Sequence, residues 1–194
     1  MKEDILARCR AALAGRETYE RPDLSDINPQ TWPDTAAQFR KMAEAMNAQV
    51  VDADNDADIP AIIRKAYPDA QTFCSNLPEV ASIITSDPDK VEDAAALNGL
   101  DVGIVRGNFG VAENGSIWVE QTMLQRAVCF ICENLVILLK RGEVVNNMHE
   151  AYRHVSFNEN GYGVFIAGPS KTADIAQVLV TGAQAARTVT IILT

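Results

Sequence analysis

The sequence predicts an α/β fold with a mixed, mostly parallel sheet and helices on both of its faces. Stretches with apolar residues at helical spacing alternate with short, nearly continuous apolar runs, the pattern of strands covered on both sides. Between Val102 and Leu139 there is too little helix for simple alternation, so a hairpin is expected in that stretch. With 194 residues, 47% of them apolar and 22% charged, the chain is sized for one hydrophobic core rather than two. We expect a single domain over residues 1–194, with residues 1–47 as a helical extension packing on it.

Ile5, Leu6, Cys9, Ala12 and Leu13 recur at helical spacing and predict an opening amphipathic helix. Thr18 to Gln30 mixes charges, prolines and asparagine without a period and reads as a loop or wrapping arm. Phe39, Met42, Ala43 and Met46 share one face of a second helix, and Ile59, Ile62, Ile63, Ala66 and Tyr67 form the stripe of a third. Strands are expected at Gln49–Asp52, Gln71–Cys74, Ala81–Thr85, Val102–Arg106, Ser116–Glu120, Asn134–Leu139, Gly163–Ala167 and Val189–Leu193. The later helices are expected at Glu143–Arg153 and Thr172–Ala185.

A formal charge of −9 and a pI near 4.7 set the chain against phosphate backbones and anionic membranes. We therefore expect neither nucleic acid nor membrane as a partner. The start, MKEDILARCR, is charged and lacks the apolar stretch and cleavage site of a signal peptide, so the expected location is the cytoplasm. There Cys9, Cys74, Cys129 and Cys132 should be reduced thiols, most of them buried. Apolar helix faces fit a homo-oligomer as well as a core.

Two segments offer chemistry. In the first, an apolar strand runs through Gly107 and Gly110 into Glu113-Asn114-Gly115 and then into another strand. Asn-Gly favours a tight turn, which sets Glu113 at its shoulder. A carboxylate held there suits acid–base work or nucleophilic attack; a solvated glutamate on a plain hairpin fits the same residues. The second segment is Gly161 to Ile175, which reads as strand, glycine turn and helix start. Free amides at that helix start, with Gly168, Ser170, Lys171 and Thr172, would form a pocket for an anion. Thr172 or Asp174 could equally serve as a helix cap. The spacing is not that of a P-loop. The two turns are expected to meet across a shared cleft.

Other candidates carry less. Cys129-Phe-Ile-Cys132 has redox spacing but lies in an apolar run, which favours packing. His149 and His154 have no acidic or cysteine ligands at metal spacing, so no metal site is expected. Trp118 alternates along a strand as core or pocket wall. The acidic run Asp52–Asp58 lacks the central glycine and terminal glutamate of a calcium loop and reads as a solvated helix start.

The two segments, in this order and with a closing strand, resemble the LUD-domain family, which includes lactate-utilisation protein C. Ile166-Ala-Gly-Pro-Ser-Lys-Thr-Ala-Asp-Ile175 is similar to that family's Gly-Pro-Ser-(Arg/Lys)-Thr-Ala-Asp-Ile stretch, and Ala112-Glu-Asn-Gly-Ser116 to its Ala-Glu-Thr-Gly-Thr turn. The motifs span roughly Leu100 to Thr194. Where the family has Gly-Val-His-Gly-Pro-Arg, this chain has Gly182-Ala-Gln-Ala-Ala-Arg187, which keeps the glycine and Arg187 without the histidine. The resemblance implies a Rossmann-like fold of the group containing NagB, RpiA and the CoA transferases. It also implies Gly168, Ser170, Lys171, Thr172, Asp174, Asn114 and Arg187 as ligand-binding residues, with Glu113 as the candidate catalytic group.

By the same resemblance, the chain would take part in oxidising lactate to pyruvate with iron–sulfur partner proteins, binding a small carboxylate or phosphate-bearing ligand. The chain itself lacks the cysteine sets of a cluster, and no cofactor is identified. Ala112-Glu-Asn-Gly115 also resembles the Ser-Glu-Asn-Gly motif of class I CoA transferases, whose glutamate attacks an acyl-CoA. Acyl transfer through Glu113 is therefore an alternative, and a non-catalytic ligand sensor is another.

Overall fold

In the structure, a computed structural model, residues 2–16, 19–20, 22–23, 27–155, 157, 161–172 and 179–194 are described. In chain order they form α1 (Lys2–Leu13), α2 (Thr35–Ala45), β1 (Gln49–Asp52), α3 (Ile59–Ala66), β2 (Phe73–Cys74), β3 (Val102–Arg106), β4 (Phe109–Val111) and β5 (Ile117–Glu120). There follow α4 (Val128–Ile131), β6 (Asn134–Leu139), β7 (Val144–Val145), α5 (Met148–His154), β8 (Gly163–Ile166), β9 (Lys171–Thr172), β10 (Val180–Thr181) and β11 (Thr188–Leu193).

The central sheet has the order β1-β11-β6-β3-β2, and every pairing in it is parallel. All but the edge strand β1 are buried on both faces because their side chains alternate between two cores. Leu135, Ile137, Leu139, Val189, Ile191 and Leu193 face one side, with Phe39 and Ala43 of α2 and Val128 and Cys129 of α4. Val136, Leu138 and Ile192 face the other side, with Ile59 and Ile63 of α3. The α/β class, the mostly parallel sheet and the helices on both faces are as the sequence predicts.

The hairpin between Val102 and Leu139 belongs to a second sheet of order β7-β4-β5-β8. Ile117 and Val119 of this sheet join the core shared with α2. Phe109, Val111 and Trp118 point the other way, onto Ala151 of α5. Side-chain caps start two of the helices. Asp34 accepts from the Ala37 amide at the start of α2, and Asn147 accepts from the Glu150 amide at the start of α5.

Three expected elements differ. The helix expected at Glu143–Arg153 begins only at Met148, because Val144–Val145 pairs with β4 as strand β7 and Asn147 caps the helix. Ala81–Thr85 is no strand: a 3₁₀ turn at Pro78–Val80 leads into it, and the Thr85 and Ser86 amides both donate to the Phe73 carbonyl. The expected helix Thr172–Ala185 is replaced, among its described residues, by an antiparallel strand pair in which Thr172 pairs with Val180 and Lys171 with Thr181. Alanine-rich composition favours a helix there, but the β-branched Val180 and Thr181 and the left-handed turn at Gly182 (φ +71°) favour extended pairing. Of the N-terminal residues, Trp32 and α2 pack on the core, whereas α1 buries none of its residues.

Candidate anion-binding site

The two motif turns lie at the same end of the second sheet. β5 and β8 pair antiparallel with Ile117 opposite Ile166, so Gly115 just before β5 and Gly168 just after β8 leave the sheet at the same end. Both glycines have left-handed backbone, with φ of +69° and +68°, and both press on the C-terminal end of α2. A Cβ at Gly115 would lie 2.5 Å from the Ala43 nitrogen, and one at Gly168 would collide with the Met46 carbonyl. Only glycine meets both demands.

Beyond the turns, the candidate residues part company. The Glu113 amide donates to the Asn146 carbonyl at 2.9 Å, and its exposed carboxylate accepts from the Met148 amide at 2.8 Å. Glu113 thus closes an orphan donor in the first turn of α5, where negative charge is favoured. Asn114 Oδ1 accepts from the Ser116 amide at 3.0 Å and its hydroxyl at 2.7 Å, which fixes the turn.

On the other turn, Ser170 is held by its backbone. Its amide donates to the Ala186 carbonyl, and its carbonyl accepts from the Gly182 amide, both at 2.8 Å. Among the described residues this pairing stands where free helix-start amides were expected, and it engages the Ser170 amide. Lys171 supplies the charge instead. Its half-buried Nζ donates to the Ala167 carbonyl at 3.0 Å and reaches the Pro169 carbonyl at 3.4 Å. Burial draws this ammonium below the usual lysine pKa, and no carboxylate among the described residues pairs with it. Asp174 lies outside the described residues.

Gly168, Pro169, Ser170 and Lys171 line a hollow of ≈ 320 Å³. Its other walls are Val164, Phe165 and Ile166 of β8, Cys129 and Phe130 of α4, Leu135, Val189, Ala185 and Ala186. Glu113 is not among them, so the expected shared cleft is not formed by this hollow. Exposed Arg187 lines a neighbouring hollow of ≈ 430 Å³, with Glu133, Gln184 and the shared Ala185. The Arg187 amide donates to the Glu133 carbonyl at 2.7 Å, and its guanidinium stands 3.7 Å from the Glu133 carboxylate.

Residues 75–194 match the model of the LUD domain family, more than half of the chain. The chain belongs to the LUD-domain family. No curated protein matches it. Among solved structures, a DUF162 family protein from Deinococcus radiodurans superposes with a TM-score of 0.62 at 16% identity, covering 85% of this chain and 99% of that one. That likeness is one of fold. In this LUD-domain protein the family match begins at Ser75, yet β1, which precedes it, pairs with β11 of the matched region.

The remaining sequence candidates have structural places in the LUD-domain chain. Cys129 and Cys132 are buried, and burial pushes both thiols up to about 12, the opposite of a redox-active pair. Trp118 is buried against Phe165, with ring centroids 4.8 Å apart. Asp52 accepts from Arg40 and Arg141, and Asn55 caps a 3₁₀ turn leading into α3. The His154 ring stands 5.9 Å from that of Phe109, and His149 lines a separate small hollow with Arg153. Sequence reasoning missed the apolar walls supplied by α4, β6 and β11. An apolar residue in a strand carries no local mark of lining a hollow rather than a core.

Proposed function

We propose that this LUD-domain protein takes part in oxidising lactate to pyruvate alongside iron–sulfur partner proteins, and that it binds a small anion in the hollow at Gly168–Lys171. Family membership supports the first half. It is an associational warrant, since one fold serves many chemistries. The second half is carried by one observation: a half-buried ammonium, engaged among the described residues by backbone carbonyls alone, at the wall of a hollow of ≈ 320 Å³. A cation so placed gains from an anion, because a buried charge without a counter-charge is costly. Oxidation of lactate releases two electrons and two protons, and the iron–sulfur partners are the electron acceptors in this reading.

The test is genetic and biochemical. Deleting the gene should abolish growth on lactate while sparing growth on glucose. The wild-type chain should restore it, and Lys171→Met, expressed at the same level, should not. Normal growth of the deletion strain on lactate would end the proposal. Acyl transfer through Glu113 has less support. A carboxylate nucleophile needs desolvation, whereas this one is exposed and already accepts the Met148 amide.

A further inference from the structure

The walls of the hollow at Lys171 say more about its ligand than the charge does. Val164, Ile166, Phe130, Leu135 and Val189 present aliphatic and aromatic surface, while among the described residues the hydroxyl and charged side chains of the lining are those of Ser170 and Lys171. At ≈ 320 Å³ the hollow is near the lower end of small-molecule pockets, about 300–1,000 Å³. A lactate-sized acid would leave most of this space to water lying against apolar walls.

We propose that the hollow takes a monocarboxylate with an aliphatic or aromatic body larger than lactate, its carboxylate on Lys171 and Ser170 and its body between β8, α4 and the β6–β11 face. The inference rests on the anion reading of the same hollow and narrows its ligand class. An ammonium has three donors, and two of those on Lys171 are directed at the Ala167 and Pro169 carbonyls; among the described residues the third is left for one carboxylate oxygen. A phosphate brings more charge than one ammonium and one hydroxyl can offset away from water. The apolar walls give no partner to a polar body, whereas a hydrocarbon body removes its own surface and theirs from water.

Isothermal titration of the full chain with lactate, phosphate, butanoate, hexanoate, phenylacetate and hexanamide tests this. Affinity should rise about fourfold per added methylene until the hollow is full. Hexanoate should exceed hexanamide by about tenfold or more. Lys171→Met should erase that acid–amide difference, and Lys171→Arg should keep most of it. Val164→Trp, which fills the hollow, should weaken hexanoate and spare small anions, with circular dichroism confirming its fold. Lactate or phosphate binding through Lys171 with no gain from a hydrocarbon body would overturn the inference and leave the anion reading standing. Equal binding of acid and amide, or no binding of any compound, would overturn both.

Discussion

Gly115 and Gly168 show what single positions contribute here. Each combines a left-handed φ with a close approach to the α2 backbone, and together they hold the two motif turns against one helix end. Gly99 makes an internal control, since its φ is +80° but nothing lies within 4 Å of its would-be Cβ. Gly99→Ala should cost only the backbone strain, about 1–2 kcal/mol. Gly115→Ala adds a collision with helix backbone and should cost about 2–4 kcal/mol. Urea denaturation of both variants measures the difference, and equal losses would show that the turn does not press on α2. At this same scale Glu113 proves to be a helix-capping carboxylate, a role its position beside Asn-Gly did not reveal. Its partner, Met148, is 35 residues away.

Among the elements, the short edge strand β2 depends on a side chain outside it. The Asp101 carboxylate accepts from the Gln71 and Thr72 amides, each at 2.8 Å, and from the Thr72 hydroxyl at 2.9 Å. The Thr72 hydroxyl in turn accepts from the Asp101 amide, which aligns β2 with β3. The Gln71 and then the Thr72 amide bonds hold the Asp101 carboxyl below its usual pKa. A carboxyl depressed in the folded state contributes stability that is present above its unfolded pKa and is lost as pH falls through the folded value. Asp101→Asn should therefore be less stable than wild type at neutral pH, with the gap closing as pH drops below the ordinary carboxylate range. A gap that stays constant down to acid pH would assign the effect to something other than this charge. Most elements were legible in the sequence because periodicity and caps are local. Gln49–Asp52, Val102–Arg106 and Asn134–Leu139 have the expected bounds. The segment from Thr172 was not legible, because its β9–β10 pairing competes with an alanine-rich helical preference over a short stretch.

Taken whole, the molecule encloses three of its four cysteines. Cys74, Cys129 and Cys132 are buried and Cys9 is exposed on α1. Burial raises the pKa of all three enclosed thiols, those of Cys129 and Cys132 to about 12. At mildly alkaline pH one thiol per chain should react quickly with a disulfide reagent, and the other three should appear only on unfolding. Cys9→Ser should remove the fast phase. A fast thiol that persists in that variant would mean that a buried one, such as Cys129 at the wall of the Lys171 hollow, is open to solvent. The fold also joins regions the family match separates. Phe39 of α2 and strand β1 complete the core and sheet around residues 75–194.

By itself the sequence determined the α/β class, the two-sided burial of the parallel strands and the family, since each rests on local periodicity or on a contiguous motif. It also singled out Lys171 and its loop. Only the tertiary structure decided that Glu113 caps α5, that Lys171 pairs with Thr181 while the Ser170 backbone bonds to Ala186 and Gly182, and that α4, β6, β8 and β11 wall the hollow beside them. Those outcomes depend on contacts between segments far apart along the chain, and a residue type specifies its own preference without naming its distant neighbour.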